Sequence, residues 1–343
     1  MTAPERERAA VSGGISPLRL LAVLGLALAA AAAALIFCVL FGPTSVDIQR
    51  VLTFDPTTPD YQKVFHHRLP RALAAMLVGG SLAVAGTGFQ ALIRNPLASP
   101  YILGVSAGGS LGAVLALAAG ASLVTAPAFA GALLAVLTVY AVARTGGRVP
   151  STTLLLAGVV VNAFFTAGIM LVNLMAAPDD QVRIVRWLVG GLRDDYRMSA
   201  LLPAAGLALA VPLALFLLSR ELNLISLGDV AAERAGVNVK RTRTWIFLLS
   251  SLATAVAVSI AGPIGFVGLI VPHVLRLLVG PDHRLLLPAT LLGGGAFLAV
   301  IDSVGQSAFD QPLPAGVVTA FLGGPLFLVL LKRRDQARAG LHG

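Results

Sequence analysis

Arg68 and Arg71 stand three residues apart at the head of an uninterrupted apolar run, Ala72 to Ile93, in a chain where charges are scarce. Guanidinium groups so placed either snorkel to water at a helix end or grip carboxylates through their paired donors. A second polar group is SLGDVAAERAGVNVKRTR, residues 226–243. There Ser226 and Asp229 have capping-box spacing, Ala231 to Arg234 are good helix formers, and Gly236 is a helix stop. The pattern predicts a helix of about two turns at about 226–236, too short to hold itself in water, so it must dock on something. Asn95-Pro96-Leu97 has turn chemistry and Ser151-Thr152-Thr153 has helix-cap chemistry. His273 follows Pro272, whose missing N–H leaves a carbonyl free for it to bond.

Several chemistries are excluded. The sequence has no HExxH, no pair of aspartates inside an apolar run and no cysteine–histidine pair. Its one cysteine, Cys38, lies within an apolar run, and its histidines are scattered, so no metal-ligand set is expected. Lys63, Lys240 and Lys332 are the only lysines and none follows a glycine, so the chain carries no phosphate loop. The reading is of a protein that is not an enzyme and binds no cofactor of its own.

The elements that must position these groups are set by composition. Hydrophobic residues make up 57% of the 343 residues and charged ones 12%, against roughly 25% charged in soluble domains. That excludes a soluble globular fold. Apolar runs suited to a bilayer core of roughly 30 Å lie near 19–41, 71–92, 101–121, 126–143, 152–174, 199–218, 244–261, 265–280, 285–304 and 314–331. The predicted fold class is therefore all-α: a polytopic membrane protein of about ten transmembrane helices. One transmembrane domain, 19–331, is expected between tails at 1–18 and 332–343. The run Leu20 to Phe41 is longer than the apolar core of a signal peptide and reads as a retained first span. With the N-terminus inside, the inner segments carry 17 of the 25 Lys and Arg, so the positive-inside rule puts both termini in the cytoplasm. The outer segment PDDQVRIVRWLVGGLRDDYR runs against that trend, although four aspartates offset its arginines.

Glycine at 36 and proline at 20 residues favour closely packed, broken helices beside an aqueous path. AGTGFQALIRNPL at Ala85 and AGPIGFVGLIVPHVL at Ala261 echo each other on runs of opposite direction, the mark of an inverted repeat with a pathway at its interface. Acids for ion coupling are almost missing from the runs, where only Asp302 stands near an end. A chain that moves a solute with neither device needs an external motor. An ion-coupled carrier or passive channel is the alternative.

Four blocks in order, RLPRALAAMLVGGSLAVAGTGFQALIRNPLASPYILGVSAGG, GDVAAERAGV, GPIGFVGLIVPHVLR and LPAGVVTAFLGGPLFLVLL, resemble the permease subunits of ATP-binding-cassette importers for iron-siderophores, haem and cobalamin. The likeness runs from about Arg68 to Lys332. It implies spans two to five set against seven to ten, in the cell membrane. Gly228, Asp229, Ala232, Glu233 and Gly236 then fall on a coupling helix that sits in a groove of a separate ATPase subunit, which holds the ATP and magnesium. Arg68 and Arg71 fall on the docking surface for an extracytoplasmic substrate-binding protein. Asn95, Pro96, Leu97, Ser151 and Thr152 fall on the inner gate. A second permease chain completes the path, with lipid around it and no nucleic acid. Gln306 occupies the place of a third docking arginine, for which Arg193 or Arg197 are substitutes. The resemblance leaves the substrate-binding residues and the cargo unknown.

Overall fold

The apolar runs fold as helices in a computed structural model that describes residues 16–144, 149–196, 198–308 and 310–339. Ten of them stand where the ten spans are predicted: α1 (Pro17–Leu40), α2 (Leu69–Ile93), α3 (Val105–Ala118), α4 (Thr125–Ala143), α5 (Ser151–Met175), α6 (Met198–Leu217), α7 (Val239–Ala261), α8 (Val267–Val279), α9 (His283–Ser307) and α10 (Ala315–Ala339). Among the described residues, α1, α2 with the turns leading into it from Pro59, α4, α5, α7 and α9 are long and apolar enough to cross a membrane. The α6 helix bends by 58° into Ser219–Leu227, and α3, α8 and residues Ala315–Val329 of α10 are shorter apolar helices. Of the two expected tails, residues 1–15 and 340–343 lie outside the described residues.

Helices α2 and α7 form the centre, and their sequences explain why. The α2 helix is rich in glycine and alanine and is buried on nearly every side. A Cβ on Gly86 would collide with the Gly268 carbonyl of α8, and one on Gly79 with the Gly294 carbonyl of α9. Close backbone approach of this kind holds helices together where no water drives them. By contrast, α1 turns Leu18, Leu21 and Leu26 outward, the side that lipid would cover.

The contact pattern is reciprocal. The α2 helix packs against α7, α8 and α9, while α7 packs against α2, α3 and α4. Each central helix thus lies on the two helices that follow the other, as spans two to five set against seven to ten require. The breaks match as well: α3 starts after Gly104 at φ 74° and α8 after Phe266 at φ 67°.

The capping box expected at Ser226 does not form. Ser226 lies in the last turn of Ser219–Leu227, and its hydroxyl donates to the Leu222 carbonyl at 2.8 Å. Leu222 and Ile225 are buried and carry that helix one turn further than the polar composition suggests. Gly228 caps the next helix instead, at φ 124°, where only glycine is at ease.

Candidate functional site

The short helix forms at Asp229–Arg234 and ends in a Schellman motif. The Val237 N–H donates to the Ala232 carbonyl at 3.0 Å and the Gly236 N–H to that of Glu233 at 3.0 Å, with Gly236 at φ 83°. Ala232 is fully buried against the bundle, whereas Val230, Glu233, Arg234 and the preceding Leu227 face outward. The helix is therefore seated on one side and offers a mixed apolar and charged face on the other.

Asp229 ties this helix to two others. Its carboxylate accepts from Arg243 of α7 at 3.2 Å and lies 3.7 Å from Arg94, the residue that closes α2 in the left-handed conformation. The Arg243 side chain is 6% exposed and spends its other donors on the Ser151 hydroxyl at 2.6 Å and the Val149 carbonyl at 3.3 Å. Ser151, the first residue of α5, in turn donates to the Leu92 carbonyl of α2 at 3.2 Å. The turn after α2 is set by Asn95, whose side chain accepts from the Leu97 N–H at 3.1 Å. One buried guanidinium thus joins the short helix to the mouths of α2 and α5. Nearby, Asn223 on Ser219–Leu227 donates to Asp282 at 2.9 Å and accepts from the His283 N–H at 2.9 Å, pinning that helix to the start of α9. Burial raises the Asp282 carboxyl, but hydrogen bonds from Arg284 and Asn223 outweigh it and hold the group down at about 2.

The opposite end of the bundle is closed by arginines of another kind. Arg68 donates to the carbonyls of Val39 at 2.9 Å, Leu40 at 3.0 Å and Thr44, and Ser303 donates to that of Phe41 at 3.0 Å. The last carbonyls of α1 have no partner within their own helix, and these side chains supply one. Arg71 makes a bidentate pair with Asp302 of α9 at 2.6 and 2.9 Å, and its remaining nitrogen meets Asp194. Asp302 is 4% exposed and Asp194 is 81% exposed. Beside them, burial pushes the Tyr196 phenol up to about 12, so it stays neutral and donates to the Ile260 carbonyl at 2.9 Å. The outer segment predicted to run against the charge trend pairs within itself, Arg183 with Asp180 at 3.1 Å and Arg193 with Asp195 at 2.7 Å.

Comparison with known proteins decides the lineage. The model of the FecCD transport family matches residues 25–333. The chain belongs to that family. It is 44% identical over 274 residues to the cobalamin import system permease protein of Halobacterium salinarum, covering 78% of this chain and 73% of that one. With the ferric enterobactin transport system permease protein of Escherichia coli it shares 39% over 344 residues, 96% of this chain and all of the other. A solved metal-chelate-type ABC transporter in an inward-facing conformation superposes with a TM-score of 0.80 at 31% identity, covering 91% of this chain and 99% of that one. This FecCD chain is a membrane-embedded transport permease.

The residues picked out from the sequence gather at the two ends of the permease. Gly228, Asp229, Ala232, Glu233 and Gly236 share one end with Asn95, Pro96, Leu97, Ser151 and Thr152; Thr152 is exposed beside its half-buried neighbour. Arg68 and Arg71 are at the other end, with Gln306 half-buried on α9 and Arg193 on Asp195, while Arg197 lies outside the described residues. Sequence reasoning missed Arg243 and Arg94 as partners of Asp229, and Asp302 as the partner of Arg71. Spacing marks Arg243: it falls on the face of α7 that buries Val239, Ile246 and Phe247, and a charge on such a face demands a partner.

Proposed function

We propose that this permease forms one wall of the path of an ATP-driven importer. Its cargo is a metal chelate of the ferric-siderophore type, or haem or cobalamin, delivered by an extracytoplasmic binding protein. A second permease chain, identical or closely related, forms the other wall. ATP and magnesium are held by a separate ATPase subunit that seats on Asp229–Arg234, and both termini face the cytoplasm. The observation that carries this reading is the short capped helix itself, with Ala232 packed inward and Leu227, Val230 and Glu233 presented outward.

The geometry supplies a mechanism for coupling. A push on Asp229–Arg234 displaces the Asp229 carboxylate, which Arg243 and Arg94 share. Arg243 passes the movement to Ser151, and Ser151 holds the end of α2 through the Leu92 carbonyl. The residues that follow, Asn95-Pro96-Leu97 and Ser151-Thr152, are the proposed inner gate.

At the outer end the docking role of Arg68 and Arg71 becomes one of exchange. Asp302 occupies one edge of the Arg71 fork, and the other nitrogen is held by a carboxylate open to water. A glutamate of the binding protein replaces Asp194 there. The ion-coupled alternative is weakened because Asp302, its one candidate acid, is committed to Arg71.

The deciding experiment reconstitutes the permease with its ATPase and binding protein in vesicles. Uptake is expected only with the ATPase present and ATP supplied. Uptake that persists in vesicles containing the permease alone would favour the carrier or channel.

A further inference from the structure

A cavity of about 340 Å³ lies between α2, α6 and α9, and among the described residues its lining is leucine, methionine, alanine and one glycine. The sequence explains both the apolar walls and the void. The α6 helix has no charged residue from Met198 to Leu217. Glycines let α2 and α9 meet backbone to backbone at Gly79 and Gly294, and α6 packs on both of them and on α7. Where α6 crosses the pair, Ala205, Ala208 and Gly295 supply too little bulk to fill the gap.

The cavity has the depth of one leaflet. Along α6 its lining runs from Met198 to Leu209, about 16 Å of helix rise, and half of a bilayer's hydrocarbon core is about 15 Å. Leu73 lies two residues past Arg71, and Leu291 lies eleven residues before Asp302. The cavity therefore begins just beneath the Arg71–Asp302 pair and ends near the middle of the bilayer. Its mouth is open: Met198, Leu202 and Leu209 line it and are exposed, and they continue into the exposed Leu213 and Leu217 of the same helix. The proposed second permease chain belongs on a different face. Polar side chains that suit an aqueous path, Ser106 and Ser110 of α3 with Asn162 and Thr166 of α5, stand together, and α5 packs on α3 and α4.

Water does not fill an apolar cavity, and an empty one forfeits the dispersion contacts of its walls. Within a bilayer no hydrophobic drive pulls the helices shut over it. We propose that one acyl chain of a phospholipid, from the leaflet on the Arg71 side, occupies this cavity as a bound lipid, with the flexible Met76 and Met198 fitting around it. The lipid then packs between α2, the central helix, and α9, which carries Asp302 of the buried pair. This inference needs only the membrane embedding of the chain and is independent of its cargo and motor.

The test reconstitutes the full-length chain in vesicles of phosphatidylethanolamine and phosphatidylglycerol. The probe is a phosphatidylcholine with a photoactivatable diazirine midway along one acyl chain. Excess detergent strips loosely held lipid before irradiation, and the labelled residues are identified by mass spectrometry. Several-fold more label is expected at Met76, Leu77 and Leu201 than at the exposed Leu213 and Leu217. Ala205→Phe puts a ring into the cavity and is expected to bring the two sets level while thermal unfolding stays near that of the wild type. Equal labelling of the two sets in the wild type overturns the proposal, and this arm decides alone if the variant does not fold. A folded Ala205→Phe variant that keeps the wild-type pattern overturns it as well. So does crosslinking of Leu202→Cys chains to each other by a short bis-maleimide, because a second copy then covers the mouth; the wild type, whose Cys38 is buried, is the control.

Discussion

Arginines hold both ends of this permease, but the two ends are built for opposite purposes. At one end Arg71 is 12% exposed and its fork closes on Asp302, which is 4% exposed; charge meets charge away from water with good geometry. At the other end Arg243 is as buried, yet its acid, Asp229, is 40% exposed and shared with an Arg94 that is 42% exposed. A desolvated bidentate pair is costly to open. A half-hydrated acid between two cations opens with little penalty, because water replaces what is lost. The difference separates a clasp from the proposed relay, and it follows from where each acid sits: Asp302 inside α9, Asp229 at the first turn of a short helix seated on the bundle by one side only.

The largest expected effect comes from breaking the clasp. Asp302→Ala leaves the Arg71 charge without its main partner and is expected to destabilise the permease by about 3–5 kcal/mol. Thermal unfolding followed by gel filtration in detergent measures this. The paired replacement Arg71→Met/Asp302→Leu is expected to recover much of the loss. A single variant as stable as the wild type would show that the pair carries no stability.

The next effect belongs to the relay. Ala232→Pro puts a ring inside the short helix on its seated side, at a local cost of about 3 kcal/mol. Insertion and thermal stability of the bundle are expected to stay near normal, while co-purification with the ATPase and uptake are lost. Retained co-purification would remove the coupling role from this helix.

These contrasts show how much was legible beforehand. The helices were, because runs of apolar residues of bilayer length have few other folds, and ten stand where they were expected. The stop at Gly236 was legible for the same local reason. The start of the short helix was not: Ser226 and Asp229 have cap spacing, but burial of Leu222 and Ile225 extended the preceding helix through Ser226. Tertiary packing overrode a local signal. Arg243 was visible only as one of many inner charges, since its partners Asp229, Ser151 and Val149 lie 14, 92 and 94 residues away. Arg68 and Arg71 were found, but not the self-contacts that occupy them, because the carbonyls of α1 and the carboxylate of Asp302 become neighbours only once the bundle closes.

A smaller effect sharpens the account of the relay. Arg243→Gln and Asp229→Asn each remove one side of the shared contact. Asp229→Asn keeps an oxygen that accepts from Arg243 and Arg243→Gln removes the buried charge itself, so each is expected to cost only about 1–2 kcal/mol. Stability is the wrong readout here; the ratio of cargo moved to ATP hydrolysed is the right one. Both variants are expected to hydrolyse ATP and transport poorly, and the double variant to be no worse than either single one. Additive losses would mean that the two residues act through separate routes.

The smallest expected effect lies at the exposed edge of the clasp, where it shares Arg71 with the proposed docking site. Asp194 is exposed, so removing it changes stability by no more than about 1 kcal/mol, and Arg71 keeps its pair with Asp302. If Asp194 merely decorates the surface, Asp194→Ala leaves affinity for the binding protein unchanged. If it holds the place of a partner carboxylate, its removal frees one nitrogen of a pre-positioned fork and deletes a competing negative charge, so affinity rises a few-fold. The gain is expected to shrink at high salt, because exposed charges more than about 8–10 Å apart are screened, and to lie mainly in association rate, as steering by rim charges does. Binding of the cargo-loaded protein to reconstituted permease at two salt concentrations measures both. A loss of affinity would instead mean that the binding protein needs Asp194 itself, and that its own docking groups at this lobe are cationic.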